Sequence, residues 1–520
     1  MATDNNAAVS NQYIELCAML REASHLGSIA ALLGWDQETY MPEGGNSARG
    51  DQKALLAGMI HERRTSSRVG ELLAACESDA SLTADDRIAA NLREIRRDYD
   101  LATKLPKDLV EAWAKTGSDA QAAWKVAREK SNFKAFAPHL EKMFALARRK
   151  AECYGVPSGG EAYDALLNEY EPGATAAMIE ATFTPLRARL TDIIRRVKAS
   201  KTKLDTSVLG LKAPAAAQHE LGHEVLRAIG FDLSSGRLDA TTHPFCEGLA
   251  PGDTRLTTRY RDEKFTDALF GTMHEAGHGM YEQGLPKVYN AKRDGPVALF
   301  GTPLAEAISL GIHESQSRMW ENFVGRGRPF VGWLTPRVKK AFGKAAAKVT
   351  TERLYRAVNT CTPSFIRVEA DEATYNMHVM VRFEIERGLL NGTLNVKDVP
   401  GVWNAKYAEY LGVKVPDDRR GCLQDVHWSF GLIGYFPTYT LGNLYAAQFW
   451  ETIQKKVKGL DAQMAKGDYS ALKKWLNTNI HIHGRRYRAG DLCQRVTGAP
   501  LSAEPLLRHL ERKLGEVYGI

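Results

Sequence analysis

The sequence predicts a large, mainly α-helical protein with one small β-sheet. In most windows apolar residues recur three and four positions apart with charges between them, as in Leu186, Leu190, Ile193 and Val197. Strand-like alternation is scarce outside residues 236–261. The length of 520 residues is enough to bury one very large core or to divide into lobes.

The N-terminal third predicts long helices separated by short loops. Alanine-rich stretches at 88–99 and 120–130 are typical of helices, and Gly and Pro cluster at 41–45, 156–160 and 171–173. The exception to helix lies between residues 236 and 261, where turn residues alternate with β-branched ones. A period of two there would place Asp253, Arg255 and Thr257 on one face of a strand.

Residues 426–450 contain no charged side chain and are long enough to span a membrane. The middle of this segment carries Gly431, Gly434, Pro437, Gly442 and Asn443, which would break a helix and leave polar groups that lipid could not satisfy. We therefore expect a buried, kinked segment that forms the wall of a deep central cleft, and no membrane insertion.

Composition excludes other classes of protein. The net charge of +7 comes from 69 Lys and Arg against 62 Asp and Glu, and the basic residues are scattered, which argues against nucleic-acid binding. The seven cysteines form no C-x-x-C pair and their number is odd, which indicates a reducing compartment. The first residues lack a basic patch followed by an apolar run, so a cytoplasmic location is expected.

Two copies of H-E-x-x-H occur, His219 to His223 and His274 to His278. This spacing puts two imidazoles on one helical face, where both can bind one Zn²⁺ while the glutamate holds a water. Uncharged residues flank the second copy, whereas the first continues into Glu224 and Arg227. Unpaired charge is costly beside a buried site, so we take the second copy as the zinc helix and the first as a solvated helix whose histidines are structural.

A catalytic zinc site needs a third protein ligand and an open position. Two glutamates are candidates, Glu306 at 28 residues and Glu314 at 36 residues after His278. Eight residues of one helix return to within about 80°, so both could face the metal. Spacing alone does not decide between them.

The sequence resembles the carboxypeptidase Taq family of zinc metallocarboxypeptidases over nearly its whole length. The matching strings, in order, are His243-Pro-Phe245, Asp253-Thr-Arg-Leu-Thr257, His274-Glu-Ala-Gly-His278, His313-Glu-Ser-Gln316, Ile366-Arg-Val-Glu-Ala-Asp371 and Gly421-Cys-Leu-Gln-Asp-Val-His-Trp428. The first H-E-x-x-H copy matches no motif of that family. The segment Leu285 to Phe300 looks longer than expected and suggests a loop specific to this branch.

The resemblance implies a large helical metallopeptidase with a deep cleft. One Zn²⁺ per chain would be bound by His274, His278 and Glu314, with Co²⁺ or Mn²⁺ as possible substitutes. Glu275 would act as the general acid/base. The resemblance also implies one catalytic unit over residues 1–520, in which a helical part (about 1–200) covers a zinc-binding part (about 201–520), and a homodimer.

Two donors from the uncharged segment, His427 and Tyr435, are candidates to stabilise the oxyanion, although either could simply satisfy a backbone carbonyl. An exopeptidase also needs a cation for the substrate's terminal carboxylate. Arg367 is the first candidate and Arg255 the second. The structural alternative for Arg367 is an ion pair with Asp371, four residues on.

The remaining motif residues, His243, Asp253 and Gln424, are expected to close one end of the cleft, which would make the enzyme a carboxypeptidase. The expected reaction is release of single C-terminal residues from peptides with a free C-terminus. An endo-acting oligopeptidase or dipeptidyl carboxypeptidase of similar fold is the alternative within the same class. A catalytically silent helical interaction protein is the alternative outside it, disfavoured because Glu275 accompanies all three ligand types.

Overall fold

The computed structural model describes residues 10–291 and 295–520. Helices dominate, as predicted, and a small three-stranded sheet lies where β-branched residues alternate in the sequence. Between residues 10 and 200 the α-helices are α1 (Asn11–Thr39), α2 (Asn46–Arg64), α3 (Ser67–Ser78), α4 (Ala80–Thr83), α5 (Asp86–Thr103), α6 (Lys107–Glu129), α7 (Phe133–Tyr154), α8 (Ala162–Leu167) and α9 (Ala176–Ala199).

The sheet follows α10 (Ala215–Ile229) and consists of β1 (Gly236–Ala240), β2 (Cys246–Ala250) and β3 (Asp253–Thr258). The central strand β3 pairs in parallel with β1 and antiparallel with β2, so β2 is an edge strand. Arg255 and Asp253 pair with each other on one face of β3, as the period of two predicts.

Next come α11 (Phe265–Gly284) and a β-hairpin of β4 (Val288–Ala291) and β5 (Gly295–Ala298). This hairpin occupies the segment predicted as a branch-specific loop, and residues 292–294 between its strands lie outside the described residues. The remaining helices are α12 (Leu310–Arg318), a π-helical segment (Met319–Gly325), α13 (Arg328–Phe342), α14 (Thr351–Val358), α15 (Tyr375–Leu390), α16 (Val399–Leu411), α17 (Pro437–Lys456), α18 (Leu460–Met464), α19 (Ser470–Asn479), α20 (Ala489–Thr497) and α21 (Glu504–Tyr518).

Two apolar clusters form the core. The larger runs from Ala120 to Tyr518 and so joins α6–α9 to the C-terminal helices. The smaller is built by α1, α3 and α5 together with Val297, Leu299 and Leu304. The larger core therefore extends across the boundary predicted near residue 200, and the predicted arrangement of the two parts stays a prediction.

The uncharged segment 426–450 is only partly kinked. Gly431 and Gly434 have positive φ and separate a short 3₁₀ turn from α17, as predicted. The breaks expected at Pro437, Gly442 and Asn443 are wrong. Pro437 begins α17, where a missing backbone N–H costs nothing, and the helix continues through Gly442 and Asn443. The helix that follows is almost entirely buried.

Among the described residues, one helix, α1, is long and apolar enough to cross a membrane by length and composition alone. In the folded chain its residues Leu16 and Cys17 are buried in the smaller core. Trp35, near its other end, lies under the guanidinium of Arg255 at 4.2 Å. The ends of α1 are therefore anchored to the other N-terminal helices and to the sheet.

Candidate metal centre

The two histidines of the second H-E-x-x-H copy lie on α11, and glycines bring this helix close to its neighbours. A Cβ at Gly279 would lie 2.7 Å from Leu256 of β3. A Cβ at Gly277 would lie 2.5 Å from the carbonyl oxygen of Gln316 on α12. Only glycine allows such approaches, so the motif's own glycine lets α12 lie directly against the histidine pair.

Glu314 projects from α12, whose first turn is held by two side chains. Ser309 accepts a hydrogen bond from the backbone N–H of Ile312 at 3.1 Å. The buried carboxyl of Glu171 accepts from the Ser309 hydroxyl at 3.0 Å and from the Gly311 N–H at 2.9 Å. These hydrogen bonds fix the position of the N-terminus of α12, the helix that carries Glu314.

The donor atoms of His274, His278 and Glu314 all lie within 4.8 Å of one another. Oε2 of Glu314 is 3.4 Å from Nε2 of His278 and 3.7 Å from Nε2 of His274. Ligands 2.0–2.1 Å from a tetrahedral ion stand about 3.4 Å apart, so these separations fit one zinc ion. The histidine side chains are 20% and 14% exposed, which leaves one side of the group open.

The surrounding side chains orient the three donors. Nδ1 of His274 is 3.0 Å from Oε2 of Glu321, which itself pairs with Arg318 and Arg326. Nε of Arg318 donates to Oε1 of Glu314 at 2.6 Å. The other oxygen, Oε2, faces the histidines. Such outer partners fix the ring orientation and increase ligand basicity.

Two of the three donors, His278 and Glu314, have the protonation state of a metal ligand. Burial would lower the pKa of His274, but Glu314 and Glu321 outweigh it and raise the pKa of this imidazole. Burial, together with the neighbouring His313, lowers the pKa of His278 to about 3, so its imidazole is neutral. Burial opposes ionisation of Glu314, but Arg318 and His274 outweigh it and hold the pKa of this carboxyl well below its usual range. The same two residues lower the pKa of Glu321 to about 2 against the effect of burial.

Glu275, the glutamate of the motif, is buried beside the three donors at 7% exposure. Burial is the main cause that raises the pKa of Glu275 to about 7, and the negative charge of Glu314 adds to it. A carboxylate with a pKa near neutrality, next to a metal site, is suited to take up and release a proton.

The structure places His427 and Tyr435 side by side, with ring centroids 5.5 Å apart. Nε2 of His427 contacts the hydroxyl of Tyr439 at 3.2 Å, while its buried Nδ1 has no partner among the described residues. Burial and then Arg367 lower the pKa of His427 to about 3. Burial and then Glu314 raise the pKa of Tyr435 to about 12, so its hydroxyl stays protonated. This hydroxyl can therefore donate a hydrogen bond beside the three metal-binding side chains.

Arg367 is buried, and its guanidinium donates hydrogen bonds to Asp425 and Tyr375. Its Nε and Nη2 donate to Oδ1 of Asp425 at 3.1 and 2.8 Å, and its Nη1 donates to the Tyr375 hydroxyl at 2.8 Å. The structural alternative, an ion pair with Asp371, does not form, because that carboxylate accepts from backbone N–H groups of residues 362, 373 and 374. Arg382 also donates to Asp425, at 2.7 Å.

The side-chain amide of Gln424 hydrogen-bonds to the loop that carries Arg367. Its oxygen accepts from the Arg367 backbone N–H at 2.8 Å. Its nitrogen donates to the carbonyl oxygens of Phe365, Arg420 and Gly421 at 2.9 to 3.1 Å. Gln424 therefore positions the loop of Arg367, and its predicted contact with substrate stays a prediction.

The other predicted substrate-binding residues form a separate group at the sheet. Arg255 and Asp253 make a bidentate pair at 3.0 and 2.9 Å beneath Trp35 of α1. His243 is exposed in the turn between β1 and β2. Nearby, a cavity of about 290 Å³ lies between α1, β2 and the end of α11, and Glu282, which bonds His313, lines it.

The assignment of Glu306 as the third ligand assumes that it lies on the same helix as Glu314. In the structure the two residues are not on one helix. Glu306 follows a short 3₁₀ turn in extended conformation, before α12 begins at Leu310. Its carboxylate accepts from Arg485 at 2.8 Å. Glu306 therefore lies outside the group of metal donors.

Sequence reasoning did not identify the outer partners Glu321 and Arg318, nor Asp425, Arg382 and Gly442. The first two flank Met319-Trp320 directly after the His313-Glu-Ser-Gln316 string, and this closeness to a motif was the signal that could have found them. A Cβ at Gly442 of α17 would lie 2.6 Å from Cγ of Glu314, a contact between residues 128 positions apart that no local pattern reveals.

Comparisons with known proteins show what this chain is similar to. The model of the carboxypeptidase Taq (M32) metallopeptidase family matches residues 15–514. The chain is 42% identical to thermostable carboxypeptidase 1 of Thermus thermophilus, over 98% of this chain and 99% of that protein. It is 36% identical to carboxypeptidase 1 of Bacillus subtilis, over 97% and 98%. A crystal structure of the M32 carboxypeptidase from Deinococcus radiodurans R1 superposes with a TM-score of 0.93 at 40% identity, over 98% of this chain and 100% of that one.

Proposed function

The chain belongs to the carboxypeptidase Taq (M32) metallopeptidase family and is a metallocarboxypeptidase, and we propose that it works with one Zn²⁺ held by His274, His278 and Glu314. The observation that carries this assignment is the donor geometry, with one carboxylate oxygen 3.4 and 3.7 Å from two imidazole nitrogens. Two nitrogens and one oxygen suit zinc, and Co²⁺ or Mn²⁺ are possible substitutes.

When bound, zinc would lower the pKa of a coordinated water and polarise the scissile carbonyl. Glu275 supplies the proton transfer. Its raised pKa lets the carboxylate take a proton from the attacking water and then deliver it to the leaving amine. Burial keeps bulk water away from this carboxylate, which favours transfer between the two reacting groups.

We propose that Tyr435 and His427 stabilise negative charge on the carbonyl oxygen. Both groups are neutral at pH 7, since the pKa of Tyr435 is raised to about 12 and that of His427 is lowered to about 3. A neutral hydroxyl and a neutral imidazole can each donate one hydrogen bond to a developing oxyanion. Their neighbour Tyr439 orients the His427 ring.

Arg367 is the proposed cation for the substrate's terminal carboxylate. Two guanidinium groups, Arg367 and Arg382, share the single carboxylate of Asp425, so the cluster retains one positive charge. Arg367 lies 4.8 Å from the ring of Tyr439, whose hydroxyl contacts the proposed oxyanion donor His427. An anionic substrate group could therefore complete the cluster, whereas the guanidinium of Arg255 is already neutralised one to one by Asp253.

Substrates would then be peptides with a free C-terminus. We further propose a homodimer, for which the family resemblance is the support, and a cytoplasmic location, for which cysteine usage is the support.

The test uses one unblocked hexapeptide and its C-terminal amide, each with and without chelator, and identifies the products by mass spectrometry. We expect single-residue release that stops with chelator. The amide should be cleaved with kcat/KM lower by roughly 30- to 1000-fold, because a charge-assisted bidentate contact is worth about 2–4 kcal/mol. Equal cleavage of acid and amide, or internal products, would refute exopeptidase action.

Arg367→Ala tests the carboxylate assignment directly. Arg382 still neutralises Asp425 in this variant, so no buried carboxylate is left unpaired. The variant should lose most of the preference for the free acid, while Arg255→Ala should keep it. Retained preference in Arg367→Ala would move the role to another cation.

A further inference from the structure

The first H-E-x-x-H copy, on α10, takes no part in the donor group described above. Its two rings, His219 and His223, lie with centroids 4.5 Å apart. The corresponding rings of the zinc pair, His274 and His278, lie 4.9 Å apart. The two copies therefore present their imidazoles in closely similar arrangements.

An outer partner fixes one ring of the α10 pair, as in the zinc site. Nδ1 of His219 is 2.9 Å from the hydroxyl of Tyr260, which leaves Nε2 available. Glu321 makes the equivalent contact with His274 at 3.0 Å. Metal-binding histidines commonly hydrogen-bond through the second nitrogen, which sets the tautomer and the ring orientation.

The helix that carries the pair is rigidly held. Leu221, Val225 and Leu226 of α10 are buried in the larger core, and a Cβ at Gly222 would contact Leu238 and Thr272. Burial and the neighbouring His219 lower the pKa of His223, which keeps its imidazole neutral at pH 7. Both residues are half-buried, so each is partly exposed to solvent.

The carboxylate that could supply a third protein ligand is already hydrogen-bonded to other residues. Asp239 of β1 is close enough for its charge to act on His223. Its carboxylate, however, accepts from the Tyr40 hydroxyl at 2.6 Å and from Arg237 at 2.7 and 2.8 Å. Water would therefore complete the shell of any ion bound by the two histidines.

We propose that His219 and His223 form a second transition-metal site, which binds one divalent ion such as Zn²⁺ through two imidazoles and water. With two protein ligands in place of three, this site is expected to be weaker than the first by roughly 100-fold or more. Dialysis at low free zinc should therefore leave one ion per chain, and a second should bind as free zinc rises.

The experiment is equilibrium dialysis of the full-length protein against Zn²⁺ over a range of free concentrations. We expect two ions per chain at saturation in the wild type. His219→Ala and His223→Ala should each saturate at one, and Tyr260→Phe should shift the second binding step to several-fold higher zinc. His61→Ala, an exposed histidine on α2, is the matched control and should still bind two.

Glu314→Gln separates this proposal from the zinc assignment. It should lose the tight ion and keep the weak one. Saturation of the wild type at one ion, or a second ion retained by both α10 variants, would overturn the second site. Circular dichroism melting of each variant checks that the fold is intact.

Discussion

Replacing Gly442 by alanine should weaken metal binding although Gly442 is not a ligand. A Cβ at this position of α17 would lie 2.6 Å from Cγ and 2.7 Å from Cβ of Glu314. The backbone there has negative φ, and alanine favours a helix interior by about 1 kcal/mol over glycine. Any loss of metal affinity would therefore come from the contact with Glu314 and not from a weaker helix.

The magnitude follows from the distances. Carbon atoms in ordinary contact are at least about 3.5 Å apart, so α17 and the Glu314 side chain must separate by about 0.9 Å. Zinc–ligand distances tolerate about 0.2 Å. Glu314 is also held on its far oxygen by Arg318 at 2.6 Å, which restricts how it can adjust. We expect zinc affinity to fall by roughly 10- to 100-fold, as when a ligand loses its support.

The assay is competition for zinc between the protein and a chromophoric chelator. The control is Gly58→Ala in α2, where a new Cβ meets nothing within 4 Å. The control should bind zinc as the wild type does. Unchanged affinity in Gly442→Ala would mean that α17 does not set the position of Glu314.

Three other experiments test the site and its support. Glu275→Gln should keep its metal and lose most turnover, because an amide cannot accept the water's proton; turnover above about a tenth of wild type would exclude Glu275 as the base. Glu314→Gln should lose metal on dialysis while Glu306→Gln, whose side chain pairs with Arg485, should keep it, and the reverse order of metal contents would move the ligand.

The third is Glu171→Gln. Burial raises the pKa of Glu171 from 4.5 to about 7, so this group's contribution to stability is complete below pH 4.5 and is lost as pH rises through 7. The variant should therefore gain about 3 kcal/mol relative to wild type between pH 4 and pH 8, measured by urea unfolding, and a pH-independent difference would contradict it.

Local patterns predicted the parts of the fold that depend on local forces. Alternation around Arg255 identified a strand, and the flanking residues of the two histidine motifs separated a buried helix from a half-exposed one. Pro437 misled because the same residue can end a helix or begin one. The sequence left Glu306 and Glu314 both open because spacing does not show where a helix begins, and the Ser309 cap decides it.

Contacts across the chain could not be predicted in this way. The partner of Arg367 is Asp425, 58 residues away, and not Asp371 on the same segment. The π-helical turn after α12 changes the number of residues per turn, so α-helical spacing does not predict that Glu321 lies on the side of His274. Both arrangements depend on how distant elements are packed.

The two apolar clusters are separate packed units, so one can open to solvent while the other stays closed. Leu304 belongs to the smaller cluster, whereas Ile308 and Ile312 belong to the larger one with α12. Since cooperative opening follows packed units, α1, α3 and α5 can expose their amides to exchange with solvent together, while α6–α9 stay packed in the larger cluster. Glu314 would remain anchored through such openings, so the protein can fluctuate at its N-terminal side without releasing its metal.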